Sequence, residues 1–134
     1  MTATTTDRDG TRKTGEIIAY PMAASAKVYK EAMSSIDASG NLVDLTDPSG
    51  NFAGVNFEGI DNSSGSAGDV YCQVYKDGIF ELAMSGAAKT DVGSAVYPVD
   101  NQTVTTTAGT ATKCGEAVQF VNSGKIFVDI SRRT

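Results

Sequence analysis

The sequence predicts an all-β fold: a small single-domain β-barrel or sandwich (residues 16–134) carrying an extended N-terminal arm (residues 1–15). Three observations carry that reading. Short apolar runs of period two recur along the chain with Gly-, Asp-, Asn- and Ser-rich turns between them, the grammar of a sandwich or small barrel and not of βαβ units. Thr, Val, Ser and Gly outweigh Leu, Glu and Lys, a balance that favours strands and turns over helices. The first fifteen residues hold almost no large apolar side chain. At 134 residues the chain is one domain with a modest core.

Residues 1–15, MTATTTDRDGTRKTG, cannot offset an ordering cost of about 1–2 kcal/mol per residue by burial. Thr is a good strand residue, so such an arm is suited to becoming extended against a partner's sheet edge. Glu16–Met22 is the first strand, ended or placed on an edge by Pro21, which lacks a ladder donor. Ala23–Ile36 reads two ways. Val28, Ala32, Met33 and Ile36 would share a helical face, while Ala26, Val28, Lys30, Ala32 and Ser34 alternate as in a strand. Asp37–Asn41 is a turn, Leu42–Leu45 a short strand, and Asp47–Asn51 a second turn. Phe52–Ile60 is a strand with Gly54 marking a bulge, and Asp61–Gly68 is a loop.

The densest stretch is Gly68–Thr107. Val70, Cys72 and Val74 alternate with Tyr71, Gln73 and Tyr75, and Ile79, Phe80 and Leu82 follow Asp77-Gly78, a dipeptide that signals a hairpin. Ala83–Asp91 connects, with a helical turn expected through Ala87 and Ala88. Strands are expected over Gly93–Val99, Gln102–Thr107, Cys114–Val121 and Ile126–Ile130.

The formal net charge is −5, unevenly spread. Residues 16–131 carry six lysines against fourteen carboxylates, while Arg8, Arg12 and Lys13 make the arm mildly basic and Arg132 and Arg133 do the same for the other end. An acidic body argues against a nucleic-acid grip, which needs a basic face. No segment has the apolar length of a membrane span or the pattern of a signal peptide, so synthesis in a cytoplasm and no membrane partner are expected.

The chain has no histidine, which removes most general-base triads and most transition-metal sites. There is no phosphate loop and no nucleophile elbow, and Ser63-Ser64-Gly65-Ser66 reads as a flexible loop. The carboxylate pairs Asp44 with Asp47 and Asp69 with Asp77 lie in turns without an aromatic platform, and the oxygen-rich Asp44–Asn51 lacks the spacing of a calcium loop. Asn62-Ser63-Ser64 fits the glycosylation pattern incidentally. Cys72 and Cys114 read as buried thiols, with a disulfide left open. No enzyme, no cofactor and no metal is therefore expected. A binding alternative is a β-sandwich adhesion or glycan-binding module of the fibre or baseplate kind, with Tyr71, Tyr75 and Tyr97 as its aromatic candidates.

From Phe52 onward the wording is specific in order and spacing. The pieces are Gly54-Val55, Asn62 with Gly65, Ala67-Gly68-Asp69, Lys76-Asp77-Gly78-Ile79-Phe80, Val92-Gly93 with Ala95-Val96-Tyr97, Val99–Thr106, Gly115-Glu116-Ala117-Val118 and Ile126–Ile130. In this order they resemble the capsid decoration, or cement, proteins of tailed bacteriophages. Val28-Tyr29-Lys30 with Ala38-Ser39-Gly40 extends the resemblance upstream, where Glu31 stands at a position expected to be small. The resemblance implies strand over helix for Ala23–Ile36. It also implies a non-catalytic virion protein on the outer surface of a capsid, stabilising it by bridging major capsid subunits, as a homotrimer or a dimer. The capsid-binding residues expected on the arm are Thr4, Thr5, Thr6, Arg8, Arg12 and Lys13, with Arg132-Arg133 as the competing contact.

Overall fold

A computed structural model describes residues 2–7 and 15–132. The strands in chain order are β1 (Ile17–Pro21), β2 (Lys27–Val28), β3 (Met33–Ile36), β4 (Leu42–Asp44), β5 (Asn51–Asn56), β6 (Ile60–Asp61), β7 (Tyr71–Tyr75) and β8 (Ile79–Ala83). They continue with β9 (Ala95–Pro98), β10 (Val104–Thr105), β11 (Gly115–Asn122) and β12 (Lys125–Asp129). The only helical turn among the described residues is 3-10, at Lys89–Asp91, just past the expected Ala87–Ala88. The fold is all-β and a single domain consistent with a sandwich.

Sheet I has the order β1-β7-β5-β3-β4 and sheet II the order β10-β9-β11-β12-β8, with β2-β6 as a small third ribbon. Each large sheet curls until its two edges touch at one parallel bridge, Met22 with Leu42 in sheet I and Ala83 with Thr103 in sheet II. Neither closes into a barrel. Pro21 ends β1, and β1 is an edge strand, as the missing donor requires.

Two clusters fill the body. Met22, Val28, Leu42, Ala53, Cys72 and Val74 pack together on one side of sheet I. Met33, Leu45, Phe52 and Val55 of its other side meet Leu82, Val96, Val104, Ala117, Ile126, Val128 and Ile130 of sheet II, forming the sandwich core. The bulge expected at Gly54 is what lets β5 serve both. Opposite Ser34 and Ser35 of β3 stand Gly54 and Phe52, so Ala53 is the extra residue and turns to the smaller cluster. Gly54 has φ +151, and a Cβ there would sit 2.1 Å from the Tyr75 carbonyl oxygen.

Three expectations need correction. Ala23–Ile36 is strand and not helix, but it breaks into β2 and β3 around a turn in which Glu31 has φ 63. Asn56 holds that turn: its Nδ2 donates to the Tyr29 carbonyl at 2.9 Å, its N–H to the Ala32 carbonyl at 2.8 Å, and its own carbonyl accepts from the Glu31 N–H at 2.9 Å. The resemblance implied a small residue at Glu31, and the left-handed backbone found there is one that disfavours a Cβ. Phe52–Ile60 likewise divides into β5 and β6, since β6 leaves sheet I to pair with β2. Finally, Asp77-Gly78 does not close a hairpin. Gly78 does take the positive φ the dipeptide signals, +130, but β7 pairs with β1 and β5 while β8 pairs with β12. The two strands bury their side chains in different clusters, and the Gly78 carbonyl accepts from the Ile130 N–H at 3.0 Å, committing the turn to β12.

Candidate functional site

The surface relevant to binding lies where the arm joins the body. Thr4, Thr5 and Thr6 are exposed, and Thr4 Oγ1 donates to the Thr6 carbonyl at 2.8 Å, a local turn with no hydrogen bond to the body among the described residues. Arg8, Arg12 and Lys13 lie outside the described residues. The body takes up the chain at Glu16, whose carbonyl accepts from the Lys76 N–H at 2.7 Å. Glu16 is thereby tied two residues before Gly78, at the crossover between the sheets.

Hydrogen-bond parity then tells which edge groups are open. In an antiparallel pair only alternate residues bond across the ladder. Along β8 the bonds Ile130 N–H to Gly78 and Met84 N–H to the Gly124 carbonyl fix the even positions toward β12. The odd residues Ile79, Glu81 and Ala83 therefore aim their backbone groups outward. The Ala83 N–H donates to the Gln102 carbonyl at 3.0 Å, where the edges of sheet II touch. Toward the start of β8 the edges diverge, and the outward groups of Ile79 and Glu81 have no backbone partner among the described residues. The same parity leaves Ile17 and Ala19 of β1 facing outward.

Apolar and charged side chains share this corner, Ile79 and the Tyr75 row lying among Glu16, Lys76, Asp77 and Glu81. Ile79 is 58% exposed, the most exposed of the large hydrophobic residues described; Tyr71, 57% exposed, stands at the other end of β7, opposite Pro21. Tyr75 packs edge-on against Phe57 and tilted against Phe80, with centroids 5.3 Å apart in both pairs. Of the three tyrosines considered for a glycan platform, Tyr71 alone stands free. Tyr75 is committed to this aromatic row, and Tyr97 is half-buried in sheet II.

Two clefts mark the surface, the first between the sheets and the second along β3, β4 and the turns that flank them in sheet I. One, of about 530 Å³, runs from Tyr29, Lys30 and Glu31 to Glu81, Ala83 and Lys125. Its ions pair locally, Lys125 with Glu81 at 3.5 Å. The other, also about 530 Å³, is lined by Asp37, Asp44 and Asp47, with Ser35 at its floor. Those carboxylates are structural acceptors: Asp37 from the Ser39 and Asn41 N–H groups, Asp44 from Asn101 Nδ2 at 3.0 Å, Asp47 from the Ser49 N–H and hydroxyl. Asp69 likewise accepts from the Ser66 N–H. Among the described residues no three His, Cys, Asp or Glu side chains are grouped to hold a metal ion. Asn62 is buried, and its Nδ2 bonds the Ala23 and Ser66 carbonyls, so it is a loop clamp.

The perturbed titrations are structural too. The Ser hydroxyl two residues on holds the carboxyls of Asp47, Asp61 and Asp129 below their ordinary value of 3.8. Burial, with the Glu58 carboxylate adding to it, pushes the Cys72 thiol up to about 11. Cys72 and Cys114 are both buried thiols, in different clusters, and form no disulfide. Arg132 is occupied by Asp129 at 3.2 Å and Glu116 at 3.8 Å, and Arg133 lies outside the described residues. The open edge of β8 was not foreseen, although an apolar Ile79 at the outward position of an alternating strand was its trace in the sequence.

No helix among the described residues is long and apolar enough to cross a membrane. No curated protein and no solved structure matches the chain. A family model described as phage cement protein matches residues 12–131, a span that takes in all twelve strands. The chain belongs to the phage cement protein family, and its role is a structural one, the stabilisation of a phage capsid.

Proposed function

We propose that this protein binds the outer surface of its phage capsid and stabilises the shell by bridging neighbouring major capsid subunits. The family match over residues 12–131 is the observation that carries this reading. In the proposal the chain divides into an attachment arm, residues 1–15, and a rigid body, residues 16–134. The arm makes the primary contact through Thr4, Thr5, Thr6, Arg8, Arg12 and Lys13, the threonines extending as a strand on a capsid edge and the cations meeting acidic capsid side chains. The copies act as a homotrimer, with a dimer as the competing stoichiometry. Several arms on one oligomer bind with avidity, worth a factor of about 10²–10⁴ over a single arm. The exposure of Thr4–Thr6, with no hydrogen bond from them to the body among the described residues, supports this division.

Removing residues 2–14 tests the proposal. The truncated body is expected to keep the circular dichroism spectrum of the full chain and to lose binding to cement-free shells in a co-sedimentation assay. Equal coating of shells by the truncated and full-length chains would refute the arm's role. Sedimentation equilibrium of the full chain decides between trimer and dimer.

A further inference from the structure

We infer that the open edge of β8, at Ile79 and Glu81, is a second capsid contact, which receives an extended segment of the major capsid protein as an added strand. The inference rests on the reading that the chain binds a capsid, and deepens it by placing a contact on the body.

Four features of the edge point to a polypeptide occupant. Parity leaves two N–H and two carbonyl groups of Ile79 and Glu81 outward without backbone partners among the described residues, the unit an incoming strand pairs with. Sheet edges that stay open in a monomer are usually blunted by Pro, a bulge or a covering loop. Among the described residues the edge of sheet II is covered only at Ala83, and β8 has no Pro and no register shift against β12, its one charge at the open positions being Glu81, which is paired with Lys125. Ile79 is also 58% exposed on the side of β8 away from the core, so a strand laid beside it gains an apolar cross-strand pair as well as backbone bonds. At its Glu81 end the edge becomes a wall of the cleft whose far wall is Tyr29–Ala32, giving the added segment a channel to run into.

The capsid protein is the occupant the rest of the molecule favours. Capsid association is what the family match shows, and the arm enters the body at Glu16, beside the same crossover that starts β8. The segment it fits is extended, free of Pro at the two paired positions, and apolar opposite Ile79. The pairing is short and weak alone. Joined to the arm, it is one of two linked contacts, and linkage multiplies affinity without new surface. An arm of fifteen residues reaches about 50 Å when extended, so arm and edge can engage different capsid subunits.

Substituting Glu81→Pro in the full chain removes one outward donor while leaving the ladder to β12, whose bonds use the even positions. Binding to cement-free shells of the parent phage should weaken about tenfold or more, with an unchanged circular dichroism spectrum. Glu81→Gln, which keeps the N–H and loses only the charge, should bind as the native chain does. Hydrogen exchange provides a check independent of any variant. In the native chain the Ile79 and Glu81 amides should exchange fast in solution and become protected on the shell. Native-like binding by Glu81→Pro, or no gain of protection at these amides, overturns the edge contact while leaving the arm reading intact. Failure of the native chain to bind shells overturns both. A drop in oligomer mass for Glu81→Pro in solution would assign the edge to a second copy and overturn the capsid assignment.

Discussion

Gly54→Ala should be among the most damaging single-methyl additions in this protein, and the structure supplies the magnitude. The new Cβ would stand 2.1 Å from the Tyr75 carbonyl oxygen and 2.8 Å from Val74 Cγ1. Neither atom can give way cheaply: the first is backbone in a central ladder, and the second belongs to a fully buried side chain. The backbone also sits at φ +151, a region that L side chains rarely adopt. Conformational strain of about 1–3 kcal/mol and a comparable overpacking cost bring the loss to about 3–5 kcal/mol. Gly40→Ala isolates the conformational part, because Gly40 has φ +86 with nothing within 4 Å of the added carbon. Its loss should be about 1 kcal/mol. Urea unfolding followed by circular dichroism measures both. With a slope of about 2 kcal/mol per molar urea, the Gly54→Ala midpoint should fall by about 1.5–2.5 M and the Gly40→Ala midpoint by about 0.5 M. A difference between the two variants below about 1 kcal/mol would refute the close approach of β5 to β7 at the bulge, a difference that midpoint shifts of this size resolve easily.

Glu31→Asn should raise stability by about 0.5–1 kcal/mol, because Asn tolerates the left-handed backbone better than Glu, and a thermal melt reads it as a rise of a few degrees. Cys72 should resist a thiol reagent at pH 8 in the folded chain and react once urea unfolds it. Its folded value of about 11 lies above its unfolded one, so its contribution is complete below the unfolded value and is lost as pH rises from there through about 11; Cys72→Ala should flatten that part of a melting-temperature profile. At the acid end the sign reverses. Asp47, Asp61 and Asp129 are held below 3.8, so their contribution is complete above that value and is lost as pH falls through it, and the melting temperature should begin to drop below about pH 4.

How much of this was legible in the sequence depends on the range of the interaction. Period-two runs located β7, β9, β11 and β12, and Pro21 announced an edge strand, because those signals act within a few residues. Gly54 announced its bulge for the same reason. Asp77-Gly78 misled because it specifies a backbone shape and not the partner of the strand that follows. That partner, β12, lies some fifty residues away and is chosen by which cluster buries Leu82 and which buries Val74. The break at Glu31 was hidden similarly: what holds it is Asn56, from a different strand. The arm threonines were legible as exposed and strand-prone, whereas the open β8 edge was not, since an edge exists only once strand order is set.

The tie between Glu16 and Lys76 has a mechanical consequence. A pull on the arm enters the folded body at Glu16, and the nearest neighbouring element is the crossover that leads directly into Ile79. Tension between the arm and the start of β8 is therefore carried by a handful of residues around Tyr75–Gly78, with the aromatic row of Phe57, Tyr75 and Phe80 bracing them. Tyr75 and Phe80 in turn pack against the sandwich core, which backs the row. If arm and edge bind as proposed, a shell swelling against its contents would load this short crossover first and pass the strain through Tyr75 and Phe80 into the sandwich core.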